Sequence, residues 1–269
     1  MLPPFVDAAW LAEHRDAVVV CDVRWYADGR SPQAAYDAGH LPGAIRVDVD
    51  ADLAGPPGAA GRHPLPSPEA FAAAMSRLGI GDGATVIAYD DDRGAIAARL
   101  VWMLRVTGHD AALLDGGIDA WARPLSTEPA TRAPAAFAPV PWPPERLAGI
   151  EDAAAPPGVL IDARAAGRFA GEPDALDPRP GHIPGARSLP TREHAGDDGR
   201  LLAVEALRER FAAVGIEPGV DVISSCGSGV TACHNLLVLE HAGLGSGRLY
   251  PGSFSEWSRD PSRPVETTP

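Results

Sequence analysis

Cysteine is scarce in this chain of 269 residues, which holds three: Cys21, Cys226 and Cys233. An odd count leaves one thiol over after any pairing, and the spacings match no metal knuckle. Neither a disulfide framework nor a metal site is expected. Positive charge is scarce too. With 23 basic residues against 36 acidic ones, the formal charge of -13 repels phosphate backbones and anionic bilayers, so nucleic acid and membrane surfaces are poor partners. No run approaches the roughly 18 apolar residues of a membrane span. The start, MLPPFVDAAWLAEHRDAVVV, shows no basic leader and no apolar core ending in a small-residue cleavage site. These absences predict a soluble, cytoplasmic protein. What is present is a hydrophobic fraction of 45%, enough for a packed core, in a length that suits one large domain or two ordinary ones.

The chain is written twice. VVVCDVR (18–24) and VLIDAR (159–164) are apolar runs ending in Asp-x-Arg. GHLPGA (39–44) matches GHIPGA (181–186). FAAAMSRLGIGDGATVIAYD (71–90) runs parallel to LRERFAAVGIEPGVDVISSC (207–226), and LLDGGIDAW (113–121) answers RLYPGSFSEW (248–257). Each half alternates short apolar strands with amphipathic helices, the pattern of a parallel sheet covered on both faces. Ser67, Pro68 and Glu69 form a good helix start, with serine as cap and proline at the first helical position. Phe71, Ala74, Met75 and Leu78 then share a face before Gly79 stops the helix. Leu207, Phe211 and Val214 do the same before Gly215. Between the halves a proline-rich stretch without helical or strand period reads as an extended, semi-rigid connection. The expected organisation is a first domain over 1–124, a linker over 125–146 and a second domain over 147–269.

One loop carries the chemistry. Val220–Glu240, VDVISSCGSGVTACHNLLVLE, reads as a strand, a glycine-rich loop and a helix beginning near Val230 or Thr231. In an open parallel sheet, ligands bind beyond the carboxyl ends of the strands, where Cys226 stands. Gly227, Ser228 and Gly229 let successive N–H groups turn inward as an anion-binding nest, and the helix adds its positive end. Both features favour a thiolate or an anionic sulfur adduct. Cys233, two helical turns on, and Cys21, inside a strand, read as core residues.

Three chemistries use a cysteine so placed. Phosphate-ester hydrolysis of the Cys-x5-Arg kind needs an arginine where this chain has Ala232. A cysteine protease needs a histidine beside the thiol, and His234, eight positions along, would point away. Sulfur transfer needs only a nucleophilic thiolate and donors to hold a persulfide.

With CGSGVTA (226–232), both GH-x-PGA turns, DARAAGRFAG (162–171) and GSFSEW (252–257), the chain resembles the tandem rhodanese-domain sulfurtransferases, a family that includes 3-mercaptopyruvate and thiosulfate sulfurtransferases. The resemblance implies an α/β protein of two rhodanese-like domains, each a parallel β-sheet of about five strands flanked by helices, with the second domain catalytic. Aligning the repeats puts Asp90 where Cys226 stands. A carboxylate cannot accept sulfane sulfur, so the first domain is expected to be a support.

The resemblance also implies roles for single residues. Cys226 is the nucleophile, and Arg168, in AGRF, binds an anionic donor. Gly227, Gly229, Val230 and Thr231 line the donor together with Ser228. His40 relays protons with Ser228 and an acidic residue, for which Asp28 and Asp37 are candidates, although His182 in the equivalent turn points to a structural role for both histidines. Arg24 and Arg164, repeated after their strands, read as scaffold ties. Two departures stand out. A second arginine that relatives carry before the second Gly-His turn is represented only by a displaced Arg179, and Pro251 replaces an aspartate of the C-terminal motif. The implied reaction moves sulfur from a small anionic donor, 3-mercaptopyruvate before thiosulfate, through a Cys226 persulfide to cyanide, a thiol or a thioredoxin-like acceptor. It needs no metal or organic cofactor. A thiosulfate-preferring enzyme, or a binding module that has lost turnover, is the alternative.

Overall fold

A computed structural model describes residues 1–173 and 175–268. Their contacts divide into two units. The first comprises Met1–Ala54, Pro66–Trp142 and Ala195–Leu201, and the second Gly55–Leu65, Pro143–His194 and Leu202–Pro269. Neither unit is continuous in sequence, because each includes a short segment encoded in the other repeat.

In the first unit β1 (Phe5–Val6), β2 (Val19–Asp22), β3 (Ile45–Arg46), β4 (Val86–Tyr89) and β5 (Ala111–Leu114) form a parallel sheet in the order β1-β5-β4-β2-β3. All four residues of β2, β4 and β5 are buried, as expected of strands covered on both faces. The helix Pro68–Arg77 begins as its sequence predicts. Ser67 Oγ accepts from the Ala70 N–H at 3.1 Å, proline occupies the first turn, and Gly79 ends the run at φ +74°. Phe71, Ala74 and Met75 face the core. The proline-rich segment lies extended on this unit. It is anchored by Phe137, which stacks on His109 with centroids 4.3 Å apart, and by Trp142, whose Nε1–H donates to the Pro66 carbonyl at 2.8 Å.

In the second unit β6 (Val159–Asp162), β7 (Arg187–Ser188), β8 (Val222–Ser225) and β9 (Arg248–Leu249) repeat the pattern in the order β7-β6-β8-β9, all parallel. A fifth strand is expected here, but the described residues supply only a single parallel bridge between Leu147 and Leu249. Leu147 follows Pro143 and Pro144, which lack the N–H that a longer ladder would use.

The Asp-x-Arg repeats serve as ties in both units. Arg24 pairs with Asp22 at 2.6 Å and donates to the Gly39 carbonyl at 2.9 Å, and Arg164 pairs with Asp162 at 2.7 Å and donates to the Gly181 carbonyl at 2.7 Å. Each guanidinium thus fastens the end of a central strand to the start of its Gly-His turn.

A buried imidazole pair joins the segment Thr191–His194 to the helix Ala232–His241. His194 and His234 have ring centroids 6.2 Å apart; His194 Nε2 meets Asn235 Oδ1 at 3.1 Å, and His234 Nδ1 meets Thr191 Oγ1 at 2.8 Å. Burial first, then the neighbouring His234 and Arg210, hold the His194 ring well below its usual basicity. The folded state therefore excludes a proton that the unfolded state binds below about pH 6.5. His194 favours the fold least at acid pH, and its contribution falls by up to about 1.4 kcal/mol per pH unit as pH drops below about 6.5. Urea unfolding at pH 7.5, 6.5 and 5.5 should show the stability difference between wild type and His194→Gln shrinking toward acid. A difference independent of pH would contradict the assignment. The comparison also cancels Asp90, whose carboxyl is pushed up to about 6 by burial and which acts in the opposite sense between pH 6 and 4.

Candidate active site

Cys226 is the first residue past the carboxyl end of β8 and is buried. The Gly229 N–H donates to its Sγ at 3.1 Å, a bond that strengthens as the sulfur becomes anionic. Gly229 has φ +74°, and a Cβ there would lie 2.4 Å from the Pro251 carbonyl oxygen, so only glycine fits. The helix that follows runs from Ala232 to His241, with Thr231 at its N-cap position and Val230 buried before it. The segment after β9 clamps the loop from the other side. Cys226 donates its N–H to Ser253 Oγ at 3.1 Å, its carbonyl accepts from the Phe254 N–H at 3.0 Å, and the Gly227 carbonyl accepts from the Ser255 N–H at 2.8 Å.

Ser253 adopts φ +50°, a conformation that costs a side-chain-bearing residue about 1–2 kcal/mol. The first repeat has Gly117 at the equivalent place, with φ +57°. Serine is kept here at a backbone position suited to glycine, and its Oγ joins Cys226 to the Tyr250 carbonyl.

The first repeat shows what a loop of this shape holds. The Asp90 carboxylate accepts N–H bonds from Asp92, Gly94, Ile96 and Ala97, each at 2.8 Å, while Arg93 stands in the left-handed region where the second repeat has Gly229. In the second repeat Ser228, Val230 and Ala232 occupy the places of Asp92, Gly94 and Ile96. The N–H of Cys233, at the place of Ala97, goes to the Val230 carbonyl instead. Four converging N–H groups around a buried carboxylate make an anion nest. With a carboxylate built into the chain, the first repeat's nest holds no thiol to carry sulfane sulfur.

The other cysteines are core residues. Cys21 is fully buried in β2 and its thiol is pushed well up by that burial, while Cys233 packs in the helix with its Sγ 3.3 Å from the Gly229 carbonyl.

His40 is held within the first unit. Its ring stacks on Tyr36 with centroids 3.8 Å apart, and its nitrogens lie 2.8 Å from the Tyr36 carbonyl and 3.0 Å from the Glu128 carbonyl, inside the first unit. His182 repeats the arrangement, stacked on Phe169 at 3.7 Å with Nδ1 2.8 Å from the Phe169 carbonyl. Both histidines lock a Gly-His turn onto the preceding helix, and both bridge a later strand-like segment, at Ser126 and at Glu266. Asp28 and Asp37 are engaged locally, with Arg30 at 2.8 Å and Gln33 at 2.8 Å.

The imidazole that meets Ser228 is His63, with Nδ1 2.7 Å from Ser228 Oγ and both side chains buried. His63 and Arg62 come from the segment 55–65 that belongs to the second unit. Gly61 makes this approach possible, because at φ +103° its missing Cβ would lie 2.8 Å from the Gly252 carbonyl oxygen. Arg62 donates its N–H to Ser255 Oγ at 2.9 Å. The available signal was GRHPLP (61–66): a cation and an imidazole between glycine and prolines, with no counterpart of the histidine in the second repeat.

Arg168, on the short helix Ala166–Ala170, lies beside the loop. A Cβ at Gly227 would lie 3.3 and 3.6 Å from its two terminal nitrogens. Its Nη2–H donates to Asp177 Oδ2 at 2.7 Å. Arg179 turns elsewhere, donating to the carbonyls of Trp257, Ser258, Asp260 and Arg263 at 2.7–3.2 Å, and so ties down the C-terminal segment. Among the described residues no cluster of three or more His, Cys, Asp or Glu could hold a metal ion, and no helix is long and apolar enough to cross a membrane.

The chain is similar to known proteins over most of its length. The Rhodanese-like domain family matches residues 7–124 and 145–260. The chain is 41% identical over 262 residues to a probable 3-mercaptopyruvate sulfurtransferase of Pseudomonas aeruginosa, covering 93% of this chain and 92% of that protein. It is 37% identical to a putative thiosulfate sulfurtransferase of Mycobacterium tuberculosis, covering 96% and 94%. The solved 3-mercaptopyruvate sulfurtransferase from Leishmania major superposes with a TM-score of 0.85 at 35% identity, over 95% of this chain and 74% of that one. With two parallel α/β repeats, one bearing a cysteine in an anion-binding loop and the other a carboxylate in its place, the chain belongs to the tandem rhodanese-domain sulfurtransferases.

Proposed function

We propose that the enzyme takes sulfur from 3-mercaptopyruvate in preference to thiosulfate, holds it as a Cys226 persulfide and passes it to cyanide or a thiol. The observation that carries the preference is the 2.7 Å contact of His63 Nδ1 with Ser228 Oγ, two residues from the nucleophile. The two donors differ in what must leave. When the Cys226 thiolate attacks the sulfur of 3-mercaptopyruvate, the carbon–sulfur bond breaks and its electron pair goes to carbon. The leaving pyruvate enolate takes up a proton, and the donor thiol gives one up. A hydroxyl hydrogen-bonded to an imidazole can relay that proton, an effect worth about 10²- to 10⁴-fold in rate. Thiosulfate instead releases sulfite, which needs no proton on carbon.

In the second half-reaction cyanide attacks the outer sulfur, thiocyanate leaves and the Cys226 thiolate returns. A dithiol does the same with release of hydrogen sulfide and formation of its own disulfide. The N–H groups of the loop and the helix start stabilise the anionic sulfur in both states. The loop positions Gly227, Ser228 and Gly229 carry no cationic side chain of their own, which suits a donor with one carboxylate better than a dianion.

Intact mass after exposure to donor should show a gain of one sulfur atom on wild type. A protein that gains none with either donor would be a binding module. Steady-state kcat/KM for both donors should favour 3-mercaptopyruvate, and Ser228→Ala should lower that value about 10²-fold or more while leaving thiosulfate within a few-fold. A wild type that favours thiosulfate, or a variant that loses both donors equally, would overturn the preference.

A further inference from the structure

We infer that Ser253 is a positioning residue for the nucleophile: its hydroxyl aims the Cys226 side chain into the loop, and the chain keeps a strained backbone angle to hold it there. The inference rests on Cys226 as the reacting thiol and names what keeps that thiol in line.

Ser253 opens the short helix Ser253–Trp257 and is fully buried. Its φ of +50° lies in the left-handed region, which glycine enters freely and a residue with a Cβ does not. Among the described residues, the side-chain-bearing ones with positive φ are Arg93 and Ser253. The first repeat shows the ordinary solution. Phe254 donates its N–H to the Cys226 carbonyl at 3.0 Å and Ile118 donates to the Asp90 carbonyl at 2.9 Å, so Gly117 stands where Ser253 does. Gly117 has φ +57°, and a Cβ there would lie 2.4 Å from the Asp90 carbonyl oxygen. In the second repeat the same turn makes room for a side chain. The turn itself does not call for serine, since glycine closes its counterpart with the same bond.

The Ser253 hydroxyl links two stretches of backbone. Its O–H donates to the Tyr250 carbonyl at 2.7 Å, and its oxygen accepts from the Cys226 N–H at 3.1 Å. Tyr250 is itself fixed to β8, with its N–H donating to the Ser224 carbonyl at 2.9 Å. A hydroxyl that donates and accepts at once is polarised in both directions, which strengthens both bonds. The N–H and the carbonyl of Cys226 are thus held by consecutive residues, Ser253 and Phe254. Fixing both ends of the residue fixes the direction of its Cα–Cβ bond, and Sγ stays 3.1 Å from the Gly229 N–H. Reaction rates are sensitive on this scale, where a displacement of about 1 Å costs on the order of 10²-fold.

The alternative is that Ser253 only satisfies a buried N–H and so supports the fold. Two variants separate the roles. Ser253→Gly and Ser253→Ala remove the hydroxyl alike, but glycine relieves the backbone angle and alanine keeps it. Ser253→Gly should therefore unfold about 2–4 °C above Ser253→Ala. Reactivity should not follow stability. The iodoacetamide rate at Cys226, read by peptide mass, and the single-turnover rate of persulfide formation at saturating 3-mercaptopyruvate should fall about tenfold or more in both variants. The donor concentration for half-maximal rate should stay within twofold of wild type.

If Ser253→Gly reacts at the wild-type rate, or if the losses rank with the unfolding midpoints, the hydroxyl serves only the fold and the inference fails. A raised half-maximal concentration with an unchanged saturating rate would place Ser253 in donor binding and overturn it equally. Alkylation needs no sulfur transfer. A wild type alkylated at Cys226 that gains no sulfur from either donor would sink the transfer reading, while the alkylation rates of the two variants would still decide the role of Ser253.

Discussion

Cys226→Ser is expected to abolish transfer to thiosulfate- and 3-mercaptopyruvate-independent background while leaving the unfolding midpoint within a few degrees of wild type. A serine hydroxyl does not ionise near neutral pH and cannot hold sulfane sulfur as a persulfide, so the loss is one of chemistry rather than of binding. The fold should tolerate the change because the bonds that hold residue 226 in place are made by its backbone, from its N–H to Ser253 Oγ and from its carbonyl to the Phe254 N–H. Cys233→Ser is the matched control. Its Sγ lies 3.3 Å from the Gly229 carbonyl, a bond that a hydroxyl can also donate, and most activity should remain. Thiocyanate release from cyanide, followed with each donor, checks both variants. Turnover by Cys226→Ser, or a folded but inactive Cys233→Ser, would move the nucleophile to the other thiol.

Gly229→Ala should be nearly as damaging and for a different reason. At φ +74° the added Cβ carries about 1–2 kcal/mol of backbone strain, and it would meet the Pro251 carbonyl oxygen at 2.4 Å. The loop must shift away from the segment after β9, and overpacking of this kind adds about 1–3 kcal/mol. The N–H that moves is the one donated to Cys226 Sγ at 3.1 Å, so the variant loses stability and thiolate stabilisation together. Removing one such donor costs about 10²- to 10³-fold in rate where it has been isolated. Thermal unfolding and single-turnover persulfide formation measure the two parts. Wild-type single-turnover rates in a variant with a lowered unfolding midpoint would show that the Gly229 N–H does not support the reacting sulfur.

The contrast between the repeats is the reason the reaction is proposed at Cys226 and not at Asp90. Asp90 and Cys226 end equivalent strands in equivalent loops, and the Asp90 carboxylate fills its own nest with four N–H bonds. The thiol of Cys226 has one N–H on its sulfur, from Gly229 at 3.1 Å. Duplication has thus left one loop occupied by its own side chain and the other open to a transferable atom.

Much of this was legible in the chain as written. The order of the four repeated motifs, the strand that ends at Cys226, the Ser67 cap and the burial of Cys21 and Cys233 all follow from local rules: periodicity, capping, the needs of glycine and the identity of a residue at a strand end. Local rules reach less far elsewhere. The resemblance assigns His40 a proton relay while the shared turn points to a structural tie, and His40 and His182 make the same stacking contact in their own turns. The imidazole that meets Ser228 is 165 residues away along the chain, in a segment with no helical or strand period to mark its destination. Arg62 and Ser253 were silent for the same reason. Each acts through a partner distant in sequence, or through a backbone angle that serine rarely adopts, and neither leaves a pattern in the neighbouring residues. The amino-acid sequence by itself determined the duplicated α/β framework and the place of Cys226 in a glycine-rich loop past a strand end, since these depend on contacts within a few residues. Only tertiary structure decided that His63 meets Ser228, because that contact depends on how the 55–65 segment packs in the second unit.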